Sequence, residues 1–141
     1  MQKISNVNML EKLSVQEEEA MFILWRLKKG VVRDVLEQYS EPKPPYTTLS
    51  SIIKKLESKK FVKSHVRGIS REYHPLVDEA EYRKQSINGF VKNFFDNSYS
   101  DVVSFFAKEQ AISADELREI IQLIEKQESK PRVARKNKRN E

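Results

Sequence analysis

Residues 46–60 have the sequence YTTLSSIIKKLESKK, and this stretch determines how the rest of the chain is interpreted. Its apolar residues recur at i, i+3, i+4 and i+7, which predicts an α-helix with one buried face. They are Leu49, Ile52, Ile53 and Leu56. The other positions carry mainly hydroxyl groups and lysines, with Glu57 as the only acid. Hydroxyl groups can hydrogen-bond base edges and ammonium groups can neutralise phosphates, so the second face is either a DNA-reading surface or simply solvated.

The chain before this stretch predicts two more helices. Ser14 and Glu17 have the spacing of a capping box, which opens a helix expected over residues 15–28. A short helix is expected over residues 31–39, and the prolines at positions 42, 44 and 45 then end it. Helix, short helix, turn and polar helix is the order of a helix-turn-helix.

Residues 61–76, FVKSHVRGISREYHPL, predict a basic β-hairpin that turns at residues 67–70. A two-stranded ribbon alone is barely stable, so this hairpin is expected to pack against the helices as a wing. Taken singly, Lys63, Arg67 and Arg71 are explained as solvated residues of an edge strand. As a set beside the polar helix, they are predicted to contact phosphate.

The chain from residue 78 to residue 128 predicts three further helices with an excess of apolar side chains. Ser113 and Glu116 form a second capping box, which opens the last of them. Five phenylalanines fall within 17 residues, more than three short helices can easily hide from water. An interface between two copies of the chain is therefore predicted in preference to an intramolecular core. The expected dimerisation residues are Phe90, Phe94, Phe105, Phe106, Ile120 and Ile124.

Positive charge is distributed unevenly along the 141 residues. The net charge is +5, and residues 130–141 account for all of it, with six basic residues and one acid. Within the balanced remainder, residues 43–74 hold eight basic residues against two acids. This concentration of charge in the middle segment and the tail indicates a polyanionic partner.

These patterns divide the chain into four parts. Residues 1–13 show no period and are expected to form a flexible lead-in, and residues 14–77 a winged-helix DNA-binding domain. Residues 78–128 are expected to be a helical dimerisation region, and residues 129–141 a disordered basic tail. The predicted fold class is therefore mainly α with a small β-hairpin wing, a winged helix-turn-helix followed by a helical dimerisation segment.

Several classes of chemistry lack the residues that they need. The chain has no cysteine, which excludes disulfides, thiolate metal sites and cysteine nucleophiles. His65 and His74 lack metal-ligand spacing, and three glycines form no phosphate-binding loop. We expect no enzyme, metal, cofactor or small-molecule ligand. With no apolar run near 18 residues and no signal peptide, we expect a cytoplasmic protein without membrane insertion.

The chain resembles the penicillinase-repressor family of winged-helix transcription regulators (BlaI, MecI and CopY types) over about residues 13–127. The matching segments are LSVQEEE at 13–19, ILW at 23–25, YTTL at 46–49, IKKLE at 53–57, KFV at 60–62, REYHP at 71–75 and ISADEL at 112–117. This resemblance implies a homodimeric repressor that binds an inverted repeat of double-stranded DNA in a promoter. It implies DNA contacts by Tyr46, Thr47, Thr48, Ser50, Ser51 and Lys55; the charge pattern adds Lys54, Lys63, Arg67 and Arg71.

The resemblance also implies a route of induction. In the antibiotic-responsive branch of the family, a membrane-bound sensor metalloprotease triggers cleavage of the repressor between Asn and Phe in the C-terminal helices. The matching bond is Ser104–Phe105, with serine where those relatives have asparagine. Copper-responsive relatives carry a C-terminal cysteine motif that this chain lacks. The expected function is thus a repressor, of antibiotic-resistance genes if this branch is the right one.

Two alternatives stay open at this point. The winged helix could serve protein–protein contact without sequence-specific DNA binding, the polar helix face being only solvated. The chain could also be the non-catalytic subunit of a nucleic-acid-processing enzyme, which a co-purifying catalytic chain would reveal. The salt dependence of DNA affinity separates the first alternative from a repressor.

Overall fold

The computed structural model describes residues 10–129, which form six helices and one two-stranded hairpin. The elements are α1 (Val15–Leu27), α2 (Val32–Glu37), α3 (Tyr46–Ser58), β1 (Val62–Arg67), β2 (Ser70–Pro75), α4 (Glu79–Phe95), α5 (Tyr99–Lys108) and α6 (Ala114–Glu128). The first five follow the order of a winged helix-turn-helix, so the predicted fold class is confirmed. The basic stretch of the tail, residues 130–141, lies outside the described residues. Among the described helices, none is long and apolar enough to cross a membrane.

The start of α1 is held by the predicted capping box. The Ser14 hydroxyl accepts a hydrogen bond from the Glu17 amide at 3.1 Å, and the Glu17 carboxylate accepts one from the Ser14 amide at 2.9 Å. The same carboxylate accepts a hydrogen bond from the Lys59 ammonium at 2.7 Å. Lys59 also donates to the carbonyl of Lys12, at 3.0 Å. One cap thus connects the beginning of α1 to the residue that follows α3.

The environment of Glu17 changes its protonation equilibrium. Burial alone would raise the pKa of this carboxyl. The hydrogen bonds from Lys59 and Ser14, with the charges of Lys59 and Lys55, outweigh burial and lower the pKa below its ordinary value of 4.5. Glu17 is therefore a buried anion whose charge is matched by a lysine.

The core of the winged helix packs α1, α2, α3 and the hairpin together. All four apolar residues of α3 are buried, as its periodicity predicts. Phe61, which follows α3, and Met21 of α1 are the largest fully buried side chains. Leu13 is also buried and Leu10 packs against the same core, so the end of the predicted lead-in belongs to the packed domain. Two isolated leucines have no periodicity, which is why the pattern does not reveal them.

The wing is an antiparallel hairpin in which Val62 pairs with Pro75 and Arg67 with Ser70. Gly68 occupies the left-handed region at the turn, with φ of 64°, and the predicted turn is confirmed. Gly30 and Tyr73 exchange two backbone hydrogen bonds, of 3.0 and 2.8 Å. This short bridge attaches β2 to the connection between α1 and α2, which gives the ribbon the support that two strands need.

An aromatic cluster fastens the beginning of α4 to α1. The Trp25 indole donates a hydrogen bond to the Val77 carbonyl at 2.8 Å. The buried ring of Tyr82 lies 5.5 Å from that of Trp25 and 5.7 Å from that of Phe61, and its hydroxyl donates to Glu18. Burial and this carboxylate raise the pKa of Tyr82 to about 12. The first part of α4 is therefore anchored to the winged helix through Trp25 and Tyr82.

The packing of the described residues divides them into two compact units, residues 10–89 and residues 90–129. In the second unit, Ser98 caps α5 by accepting a hydrogen bond from the Asp101 amide at 3.1 Å. The capping box predicted at Ser113 and Glu116 opens α6. The rings of Phe95 and Phe105 meet edge to face, with centroids 5.8 Å apart. No residue of α5 or α6 is buried.

Glu17→Gln should weaken the acid dependence of the free energy of unfolding. Because the folded pKa lies below the unfolded value of 4.5, the ion pair stabilises the fold above pH 4.5. Its contribution is lost as the pH falls through the lowered pKa. We expect the free energy of unfolding of the variant to be about 1–2 kcal/mol lower than that of the wild type at pH 7, and this difference to be smaller at about pH 3. Urea denaturation measures it, with the exposed Glu19→Gln as matched control; an equal deficit at both pH values would contradict the prediction.

Candidate nucleic-acid interface

Burial of its apolar face determines what α3 offers to a partner. Leu49, Ile53 and Leu56 are fully buried and Ile52 nearly so, which turns the polar positions outward. Six of the seven predicted α3 residues are exposed and Ser50 is partly buried. The six are Tyr46, Thr47, Thr48, Ser51, Lys54 and Lys55. The helix therefore presents a continuous row of hydroxyls and ammonium groups, of the kind that reads a major groove.

The lysines of α3 and its C-cap have different environments. Lys59 is held by Glu17 and the Lys12 carbonyl, and its side chain is only 25% exposed. Lys54 and Lys55 are exposed and form no ion pair with any of residues 10–129. Lys59 therefore supports the fold, whereas the other two are available to neutralise phosphate.

The three predicted wing cations do not form one cluster. Lys63 is paired with His74, and Arg67 lies four residue pairs further along, on the same face of the ribbon. Arg71 is paired with Val66 and therefore lies on the opposite face. The alternation of residues along β1 is visible in the sequence, but the register that places β2 against it is not. The wing thus carries positive charge on both faces.

The charge of Arg67 is partly offset within the wing. Its guanidinium donates a hydrogen bond to the buried Glu72 carboxylate at 2.8 Å. The Nε2 atom of His74 lies 3.1 Å from the other carboxylate oxygen. Arg67 remains two-thirds exposed, so it can still meet a partner, but in an orientation that Glu72 restrains.

A chain of hydrogen bonds connects α3 to the wing. The Ser64 hydroxyl donates to the Glu57 carboxylate at 2.8 Å and accepts from the Arg71 Nε at 3.0 Å. Glu57 is the only acid of α3, and the sequence offers no reason for it. The structure gives one: the carboxylate orients a serine that in turn orients an exposed arginine.

Two basic residues that are not among the predicted DNA contacts lie near the start of α3. The Arg33 guanidinium carbon is 5.9 Å from the centroid of the Tyr46 ring, within range of a cation–π contact. The Lys43 ammonium instead hydrogen-bonds three carbonyls at the end of α2, the closest being that of Tyr39 at 2.7 Å. Arg33 therefore adds exposed positive charge beside α3, whereas Lys43 caps a helix. A search for cations on α2 would have found Arg33.

The predicted dimerisation residues are all exposed in the single chain. Phe94 is the most exposed, at 70%, and its ring stacks on that of Phe90 at 4.7 Å. The other four are Phe105, Phe106, Ile120 and Ile124. Ser104 and Phe105, the predicted cleavage position, are exposed within the helix α5. The second unit therefore presents a large apolar surface to solvent.

Metal ligands are not assembled in the part of the chain that the structure describes. Residues 10–129 contain no group of three or more histidine, aspartate or glutamate side chains that could hold an ion. His65 and His74 instead meet edge to face, with ring centroids 4.7 Å apart. These two rings pack across the outer face of the wing.

A family model identifies the family to which this chain is similar. A family model described as penicillinase repressor matches residues 13–126. The penicillinase repressor of Bacillus licheniformis is 24% identical over 126 residues, which cover 86% of this chain and 95% of the relative. The solution structure of the DNA-binding domain of the repressor BlaI is 23% identical in sequence. Its match covers 52% of this chain and 90% of the BlaI chain, with a TM-score of 0.46. A structure of Bordetella bronchiseptica BpsR is 14% identical in sequence. Its match covers 85% of this chain and 78% of the BpsR chain, with a TM-score of 0.42.

Proposed function

The chain belongs to the penicillinase repressor family, whose members are transcriptional repressors, and we propose that it represses as a homodimer bound to an inverted repeat. The observation that carries this proposal is the exposed row of hydroxyls and unpaired lysines on α3, opposite a face that is wholly buried. Occupancy of a promoter by the dimer blocks transcription.

The exposed residues of α3 divide by chemistry. Thr47, Thr48 and Ser51 carry short hydroxyls that can hydrogen-bond base edges, with Ser50 in a more enclosed position. Lys54 and Lys55 supply charge to phosphate, and Tyr46 holds Arg33 over its ring. On the wing, Lys63, Arg67 and Arg71 contact the DNA backbone beside the site that α3 reads.

The second unit is the proposed dimerisation device. Six large apolar side chains are exposed, and burial of the part of each that still meets water contributes a share of the roughly 1.5–3 kcal/mol that full burial gives. Several together can exceed the cost of associating two chains. A dimer also raises the effective concentration of the second winged helix once the first is bound, so a repeat is held far more tightly than a half-site.

Relief of repression is proposed to follow cleavage at Ser104–Phe105, under the control of a membrane-bound sensor protease. Both residues are exposed, so the bond is reachable from solvent. They lie inside α5, however, and a helical backbone does not fit a site that takes an extended strand. Cleavage therefore needs local opening of α5, which is short and buries none of its residues.

DNA affinity should depend steeply on salt, and the α3 lysines should carry part of that dependence. Each lost phosphate contact lowers the slope of log affinity against log salt by about 0.9. We expect Lys54→Ala and Lys55→Ala to weaken binding to all DNA, and Lys126→Ala on α6 to have little effect. Fluorescence anisotropy on a salt series measures the slopes. An affinity that hardly changes with salt would favour the protein–protein module instead.

The hydroxyls of α3 should govern sequence preference. Thr48→Ala or Ser51→Ala should reduce the discrimination between the selected operator and random DNA by roughly 1–3 kcal/mol, because a base hydrogen bond is lost. Ser58→Ala is the matched control, since it removes an exposed hydroxyl at the last turn of the same helix. Competition binding gives the ratio, and an unchanged ratio in both threonine and serine variants would remove these residues from base reading.

Charge placed on the apolar surface of the second unit should dissociate the dimer. Phe94 is 70% exposed in the single chain, so Phe94→Glu can prevent association without disturbing the fold. Truncation after residue 104 should likewise leave a folded, mostly monomeric winged helix with weak half-site binding. Val15→Glu, an equally drastic change at an exposed position of α1, is the control and should stay dimeric. Light scattering measures the molar mass of each variant in solution. A monomeric wild type would contradict the proposed dimer.

A further inference from the structure

Gly89 lies inside α4, and the packing around it does not require a glycine at this position. A Cβ built on it meets no atom within 4 Å apart from the backbone of its own helix, so no neighbouring atom of residues 10–129 excludes a side chain. Its φ is not in the left-handed region, which in residues 10–129 only Gly68 occupies among the glycines. Glycine is nevertheless the least favourable residue after proline in a helix interior, because it loses the most backbone freedom. Alanine would fit at this position and would strengthen the helix.

The position of Gly89 coincides with the boundary between the two compact units. The first unit ends at this residue and the second begins at Phe90. On the side of the first unit, α4 is fastened by the Tyr82 hydroxyl to Glu18, and the Arg83 guanidinium carbon lies 5.0 Å from the Phe22 ring centroid. The beginning of α4 is therefore held in place before Gly89, and Gly89 is the residue of α4 with the lowest helix propensity.

We propose that Gly89 is a hinge in α4 that determines how strictly the spacing between operator half-sites is selected. This rests on the proposed function, in which α4 joins each winged helix to the helices that hold the dimer. A glycine permits small changes of helix direction that cost less than they would at any other residue. Each winged helix can then adjust to its half-site, and repeats that differ by a base pair in their spacer are bound with similar affinity.

An alternative explanation is that Gly89 is a tolerated accident of the sequence, since isolated glycines do occur in helices. On that explanation α4 opens no more readily at residue 89 than elsewhere, and replacing the glycine changes stability alone. The two explanations differ in where along the helix the amides exchange and in how DNA with altered spacers is bound.

The hinge itself is tested by hydrogen exchange on the full chain without DNA. We expect the amides of residues 90–93, whose helical hydrogen bonds span Gly89, to exchange at least tenfold faster than those of residues 83–86. Gly89→Ala should slow the first group by about two- to fivefold, the equivalent of roughly 0.5–1 kcal/mol of helix propensity, and leave the second unchanged. Uniform exchange along α4 in the wild type would overturn the hinge.

The role in spacing is tested with duplexes that carry the half-site selected by the wild-type chain from a random pool. The spacer of the inverted repeat is varied in steps of one base pair. We expect Gly89→Ala to increase the ratio between the best and the neighbouring spacers by about two- to fivefold. Asn93→Ala strengthens the same helix four residues further on and should keep the wild-type profile. Identical profiles for wild type and Gly89→Ala would overturn the proposal.

The two experiments also separate this inference from the proposed function. If the wild type binds a single half-site as tightly as any repeat, the proposed dimeric repressor fails and the role in spacing falls with it. The exchange result would still show whether α4 bends at Gly89. If the wild type prefers one repeat and Gly89→Ala has the same spacer profile, the repressor stands and only the hinge's role in DNA recognition is refuted.

Discussion

The structure depends on the burial of one face of α3. Leu49, Ile53 and Leu56 are fully enclosed by α1, α2 and the hairpin, and this decides which residues of the helix meet solvent. The Glu17–Lys59 ion pair then attaches the end of the helix to the start of α1. Rotation of α3 by one residue would bury polar groups at a cost in free energy, so the buried face fixes which residues of α3 face solvent.

The parts of the fold that the sequence predicts are those that local rules determine. Capping boxes at Ser14 and Ser113 and the periodicity of α3 depend on residues within a few positions, and each is confirmed. What escaped prediction is set by distant partners. The sequence gives no role to Glu72, which binds Arg67 and contacts His74, because only the strand register brings them together. Leu13 was missed for the same reason, since its neighbours in space come from other elements.

The candidate site is less uniform than its composition suggests. Counted along the chain, the basic residues of α3 and the wing form one positively charged stretch. In space, Lys59 is part of the fold, Arg67 is restrained by an acid and Arg71 lies on its own face of the ribbon. Net charge therefore predicts the kind of partner, whereas the ion pairs decide which cations are available to it.

The Glu57–Ser64–Arg71 chain has a consequence for how specificity can evolve. Thr47, Thr48 and Ser51 are exposed and contribute nothing to the core, so under the proposed function substitutions there would alter the recognised bases without a loss of stability. Glu57 and Ser64 instead hold the wing in alignment with α3. The proposed target preference and the alignment of the wing thus depend on separate residues, and a lineage could exchange its target while it keeps its scaffold.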